Sequence, residues 1–181
     1  MNGNGGTISS KLVVEEAAKT VMSGPASGVI AAAHTGKSSG INNIITYDMG
    51  GTSTDVALII GNEPSVSSDL EVEYAMPVHV PMVDVRTVGA GGGSIAHVPE
   101  LTGALRVGPQ SAGAEPGPAA YNKGGTEPTV TDANVVLGYM PSGVELGGDS
   151  EWKIRKDLAQ ESVKSVAKAL GLSINKAAAG I

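Results

Sequence analysis

A chain of 181 residues with 26 glycines, no cysteine and an aromatic share of 3% has room for one domain, or one domain with a small appendage, and its core must be packed from Val, Ile, Leu, Ala and Met. The formal charge of -6, with no Lys- or Arg-rich run, argues against nucleic acid as a partner, and no apolar stretch approaches the roughly 20 residues that cross a membrane. Zero cysteines remove disulfides, thiol nucleophiles and thiolate-bound metals, and the opening residues carry neither the basic nor the apolar run of a secretory signal, so a cytoplasmic protein is expected.

Ser9 or Ser10 is placed to cap a short helix over residues 11–20, with Leu12, Val13, Ala17 and Val21 as its apolar stripe. Pro25 suits the first turn of a second helix, where its missing N–H would be unpaired anyway. Small residues at 26–28 permit close approach of another backbone or a ligand, and Gly36 and Gly40 bracket a loop. Residues 41–47 and 56–60 read as two buried strands around the Gly50-Gly51 turn, the second ended by Gly61-Asn62-Glu63-Pro64. Pro77 and Pro81 make residues 72–85 edge or irregular extended chain.

Residues 86–88 lead into Gly89-Ala90-Gly91-Gly92-Gly93-Ser94. A hairpin follows, with strands 94–98 and 104–107 around a turn at 100–103. Residues 108–118 form a Gly/Pro/Ala loop longer than ordinary connections, a length that usually marks function or disorder. Thr131 or Asp132 is placed to cap a helix over 133–138. The clearest helix follows Trp152: Val163, Val166, Ala167 and Leu170 recur at three- and four-residue spacing, and Gly171 is its stop.

Chemistry concentrates in Asp48-Met49-Gly50-Gly51-Thr52-Ser53-Thr54-Asp55. Adjacent glycines let successive N–H groups turn toward one point, an anion nest suited to phosphate; Thr52, Ser53 and Thr54 add hydroxyl donors. Asp48 and Asp55 stand at the mouths of the two strands. One carboxylate there suits Mg²⁺, which prefers few carboxylates, retained waters and substrate phosphates, and the other can orient the turn. The string is neither a Walker loop nor a dinucleotide fingerprint. Gly91, Gly92, Gly93 and Ser94 form a second candidate cradle, with N–H groups beside a hydroxyl. His97 reads as a partly buried histidine rather than a base, and His34 and His79 are isolated. Arg86 and Arg106 flank the glycine clusters, each either an anion clamp or half of a structural ion pair.

Five strings occur in one order: Ser23-Gly24-Pro25-Ala26-Ser27-Gly28-Val29; residues 47–56; residues 88–96; residues 108–118; and Pro128-Thr129-Val130-Thr131-Asp132-Ala133-Asn134. Together they resemble the hydantoinase/oxoprolinase family, in particular its N-methylhydantoinase A type of subunit. The resemblance implies an α/β fold, part of an actin/hexokinase/Hsp70-like (ribonuclease H-like) ATPase domain with a mixed sheet. Residues 1–150 would be its phosphate-loop-containing part and 151–181 a C-terminal helical segment of the same domain.

The implied activity is ATP-dependent hydrolysis of a cyclic amide of the hydantoin or 5-oxoproline type, through phosphoryl activation of the ring carbonyl. The alternatives are a subunit of an ATP-dependent ketone carboxylase and a non-catalytic nucleotide-binding piece. ATP and Mg²⁺ are the implied cofactors. Asp48 would carry the metal, Asp48, Thr52 and Asp55 would serve catalysis, and residues 50–54 and 91–94 would hold nucleotide. The family's other phosphate loop and its Gly-Gly-x-Gly-Pro-like segment have no counterpart here, and relatives read Gly at Ser27 and often Cys at Ala120. An internal piece of a larger subunit is therefore expected. Its partners would be the remainder of that subunit, a second enzyme subunit and a small cyclic amide, with neither nucleic acid nor membrane.

Overall fold

The computed structural model describes residues 1–67, 70–71, 77–78, 80–144 and 153–181. The chain divides into two compact units, Met1–Asp48 with Asp55–Val88, and Met49–Thr54 with Gly89–Ile181. The expected boundary between residues 150 and 151 lies outside the described residues, as do Trp152, His79 and residues 72–76.

In the first unit, helix α1 (Ser10–Glu15) is capped by Ser9, whose side chain accepts from the Leu12 N–H. The helix is shorter than its spacing suggests. Glu16 leaves helical geometry at φ -123 and ψ 40, and a 3-10 turn covers Ala17–Thr20. No residue of α1 is buried, so the stripe of Leu12 and Val13 has no core to face. Helix α2 (Ser23–Ser38) carries Pro25 in its first turn and buries Ala26, Val29, Ala33 and Gly36. Gly36 thus lies inside the helix, not in a loop. The Ile44 side chain and the Ile41 carbonyl occupy the space a Cβ would need there, so packing decides where propensity would have ended the helix.

Strands β1 (Ile44–Met49), β2 (Thr54–Ile60) and β3 (Glu63–Pro64) lie in that order. The β2–β3 connection is the two-residue turn Gly61-Asn62, with φ of 62 and 68 and antiparallel pairing of Ile60 with Glu63; positive φ at both positions is the turn that matches strand twist. Four short strands follow: β4 (Val66–Ser67), β5 (Leu70–Glu71), β6 (Pro77–Val78) and β7 (Met82–Val83). They form antiparallel pairs, β4 with β7 and β5 with β6. Strand β8 (Val85–Val88) returns to β2.

Alternation along β2 sends Ala57 and Ile59 to a core with Ala26, Val29, Ala33 and Val83. The other face is not buried: Ile45 and Tyr47 on β1 and Leu58 and Ile60 on β2 are exposed. The two strands expected to be buried are covered on one side only.

In the second unit, β9 (Ser94–His97) pairs antiparallel with β10 (Arg106–Ser111), with Arg106 opposite His97 and Ser111 opposite Ser94. Strand pairing therefore runs past Gly108, through an irregularity between Val107 and Ser111, into what the composition marked as loop. Helix α3 (Val130–Leu137) begins earlier than expected, because Thr129 is its cap and Asp132 its third residue. Helix α4 (Lys156–Leu170) buries Val163, Val166 and Ala167 and stops at Gly171, φ 65. Helix α5 (Ile174–Gly180) buries Ala177 and Ala178. These faces meet Val135, Val136 and Ala159 in one core. Among the described residues no helix is long and apolar enough to cross a membrane.

Candidate functional site

The phosphate-loop candidate is the Met49–Thr54 segment of the second unit. The Gly50 N–H donates to the Ser53 carbonyl at 2.8 Å and closes a tight turn. The N–H groups of Gly51, Thr52 and Ser53 have no partner among the described residues. Gly51 and Thr52 are exposed, Ser53 is half-buried and Thr54 is buried. The Thr54 hydroxyl donates to the Ala90 carbonyl at 2.5 Å and so anchors the loop to the second glycine cluster.

The second glycine cluster does other work than its composition suggests. All four of its amides are engaged. Gly92 N–H donates to Gly50 O at 2.9 Å and Gly93 N–H to Gly51 O at 2.6 Å. Gly91 N–H donates to the Ser94 hydroxyl at 2.9 Å, and Ser94 N–H to Gly91 O at 3.0 Å. The expectation of a second row of open amides is corrected: this turn pairs with the first through the main chain. Its glycines follow from that approach. A Cβ at Gly91 would lie 2.7 Å from the Thr52 carbonyl carbon, 2.8 Å from Gly50 O and 2.8 Å from Ser53 N, and one at Gly93 would lie 2.9 Å from Gly51 O.

A further tier holds the support. Thr131 N–H donates to Gly92 O and Ala112 N–H to Gly93 O, each at 2.8 Å. Thr131 is set by the start of α3, where Thr129 and Asp132 form a reciprocal capping box. The fully buried Asp132 carboxylate accepts from Ala120 N–H at 2.7 Å, Ala119 N–H at 3.3 Å, Thr129 N–H at 3.0 Å and the Thr129 hydroxyl at 2.7 Å. Burial pushes this carboxyl above the ordinary aspartate value, and the hydrogen bonds, led by Ala120, offset the shift only in part. In sequence, Asp132 stood out as a helix cap and as a member of the string at residues 128–134. Its wider role was legible in part, since Thr-x-x-Asp is capping-box spacing.

In the first unit, Asp48 is the next-to-last residue of β1, with an exposed side chain, and Asp55 is the second residue of β2, half-buried. The Thr87 hydroxyl donates to Asp55 Oδ1 at 2.7 Å, which commits one oxygen of that carboxylate. Among the described residues no group of three or more His, Asp or Glu is placed to hold a metal ion. Arg86 is an ion-pair residue, with Nε 3.0 Å from Asp84 Oδ1. Arg106 is exposed and His97 half-buried. A groove of about 390 Å³ is lined by residues 44–48 of β1, by Pro25, Gly28, Val29 and Ala32 on α2, and by Asp55 and Val85.

The family model described as Hydantoinase/oxoprolinase matches residues 1–181. The caprolactamase subunit alpha of Pseudomonas jessenii is 46% identical over 180 residues, covering 98% of this chain and 25% of that subunit. The acetophenone carboxylase gamma subunit of Aromatoleum aromaticum is 40% identical over 164 residues, 90% of this chain and 22% of that subunit. A nucleotide-free acetone carboxylase structure, from work on ATP-dependent acetone carboxylation, superposes with a TM-score of 0.80 at 38% identity, over 99% of this chain and 25% of that one. The chain thus spans about a quarter of the length of the relatives it matches, and its α/β fold is of the actin/hexokinase/Hsp70-like kind.

Proposed function

We propose, from the premise that this chain belongs to the hydantoinase/oxoprolinase family, that it is the phosphate-holding part of a larger ATP-dependent enzyme that activates a carbonyl group. The observation that carries the reading is the set of three unpartnered amides at Gly51, Thr52 and Ser53. Uncommitted N–H groups on an exposed turn are a fixed, uncharged donor set for phosphate oxygens. Main-chain pairing to Gly92 and Gly93 holds that turn against yielding when charge moves on the ligand.

The residues fit an anion and one hydrated cation. Gly51, Thr52 and Ser53 would hold phosphate oxygens, with the exposed Thr52 hydroxyl as a further donor. Gly50 and Thr54 shape the turn. Asp48 would carry Mg²⁺ through retained waters. Asp55, bonded to Thr87, orients the strand end. Gly91–Gly93 and Ser94 act beneath the loop and not on the nucleotide. ATP, when bound, supplies the phosphoryl group that makes a poorly electrophilic carbonyl reactive, and the protein's contribution is positioning and charge stabilisation.

The ketone-carboxylase reading comes first, supported by the fit of almost the whole chain to acetone carboxylase and by the acetophenone carboxylase relative. Opening of a cyclic amide is the second reading, favoured by the 46% identity to caprolactamase. Both relatives are named as subunits, which supports a partner subunit, and a cysteine-free chain suits the cytoplasm.

Calorimetric titration with Mg-ATP, comparing the parent chain with Asp48→Asn, tests the site. The variant is expected to bind at least about tenfold more weakly with Mg²⁺ present and equally in EDTA; equal affinity in both removes Asp48 from the metal role. In the assembled enzyme, phosphate release stimulated by a ketone with bicarbonate supports the first reading, and release stimulated by a lactam alone supports the second. Nucleotide binding that neither substrate converts into phosphate release would leave a binding module.

A further inference from the structure

Through their N–H groups, Gly92 and Gly93 hold the carbonyls of Gly50 and Gly51. Their own carbonyls are held by two separate segments, Gly92 O by Thr131 N–H and Gly93 O by Ala112 N–H, each at 2.8 Å. The first segment is the start of α3. Ala96 N–H donates to Pro128 O at 2.8 Å and Thr129 bridges Ile95, so that start is fixed beside β9. The second segment runs from Ala112, whose carbonyl accepts from Gly117 N–H at 3.1 Å, to the 3-10 turn Ala119–Tyr121. Both segments end on one side chain. Asp132 Oδ2 accepts from the N–H and hydroxyl of Thr129 and from Ala119 N–H, and Oδ1 accepts from Ala120 N–H.

We infer that Asp132 is a positioning residue for phosphate: its ionised carboxylate ties the two segments together and so fixes Gly92 and Gly93 against Gly50 and Gly51. The inference rests on the reading of residues 51–53 as phosphate-holding amides. Four donors converge on two oxygens, and only an ionised carboxyl group offers acceptors alone. A protonated acid or an amide would turn a donor of its own toward them, losing a bond and leaving a buried N–H or O–H unpaired. Movement of α3 would pass directly to the glycines, since a Cβ at Gly92 would already lie 2.7 Å from Thr131 Oγ1. The other titratable side chains on elements packed against the start of α3 are Tyr121 and, on β9, His97. The buried faces of α4 and α5 carry no charged residue. Burial raises the Asp132 titration and the four bonds oppose it, with no charged neighbour among the causes.

The test is a pH titration of the amide signals of the isotope-labelled chain by NMR, which needs neither variant nor nucleotide. Ala119 and Ala120 report the carboxyl group directly, with a midpoint above the ordinary aspartate value of 3.8. The amides of Thr131, Ala112, Gly92 and Gly93 are expected to move with that same midpoint while Val166 on α4 stays still, and Asp132→Asn is expected to abolish the titration. Gly92 and Gly93 signals that stay flat while Ala120 titrates, or that move only together with Val166, overturn the proposal. Calorimetry with Mg-ATP at neutral pH supplies the second readout. Asp132→Asn is expected to bind roughly two- to thirty-fold more weakly than the parent. Val163→Ala, which opens a cavity in the core of the same unit and lowers the melting temperature, is expected to bind as the parent does. Equal weakening by the two variants, both folded, leaves Asp132 a stability role only and overturns the proposal. A parent chain that binds no Mg-ATP, although its Gly92 and Gly93 signals follow Asp132, overturns the phosphate reading of residues 51–53 and not the tie between the segments.

Discussion

Gly51 and Gly91 are glycines for different reasons, and substitution separates them. A methyl group at Gly51 meets no atom within 4 Å, whereas one at Gly91 meets the backbone of Gly50, Thr52 and Ser53. Gly51→Ala is expected to hold or raise stability by up to about 1 kcal/mol, through the unfolded chain, and to weaken Mg-ATP binding by crowding the open amides. Gly91→Ala is expected to cost about 1–3 kcal/mol, since a clash with main chain has no rotamer to relieve it, and to weaken binding as well. Thermal melts paired with nucleotide titration distinguish the two. The glycine and hydroxyl content of residues 48–55 made the loop legible in sequence. Which amides stay open was not legible, because that depends on carbonyls meeting a turn far along the chain.

At the scale of elements, the start of α3 is where polar burial is concentrated. Asp132 holds its proton at a higher pH in the folded chain than the ordinary aspartate value of 3.8. Between those two values the unfolded chain has lost a proton that the folded chain keeps, so stability falls as pH rises through the window. Urea melts across the acid range are expected to show that slope in the parent and to lose it in Asp132→Asn. At neutral pH the same variant is expected to be roughly 1–3 kcal/mol less stable, because an amide cannot accept from all of the donors now facing the carboxylate. Helix α4 was plain from its spacing, since Val163, Val166 and Ala167 fall on one face. The cap of α3 was misplaced by two or three residues because Thr129, Thr131 and Asp132 are all competent caps, and only the bonds to Ala119 and Ala120 select among them. The sheet was misjudged in another way: apolar strands were read as buried, and β1 and β2 keep an apolar face open.

Over the whole molecule, a chain that spans a quarter of the caprolactamase subunit alpha is expected to hold nucleotide without turning it over. Coupled phosphate-release assays with Mg-ATP and either acetone with bicarbonate or caprolactam should stay at background for the chain alone; steady turnover would show that it carries a complete centre. The five motifs made the family legible, since they keep one order over nearly the full length. The division into units was not legible, because the chain crosses between them after Asp48, Thr54 and Val88 and no composition change marks those points. That interleaving sets an order of assembly. On a translating ribosome residues 49–54 emerge well before residues 91–93, so the carbonyls of Gly50 and Gly51 wait for partners not yet synthesised. A nascent chain halted after Val88 should therefore show no nucleotide pocket, and one released past Ala112 should have all the main-chain tiers that pin the loop except the one that waits for Thr131.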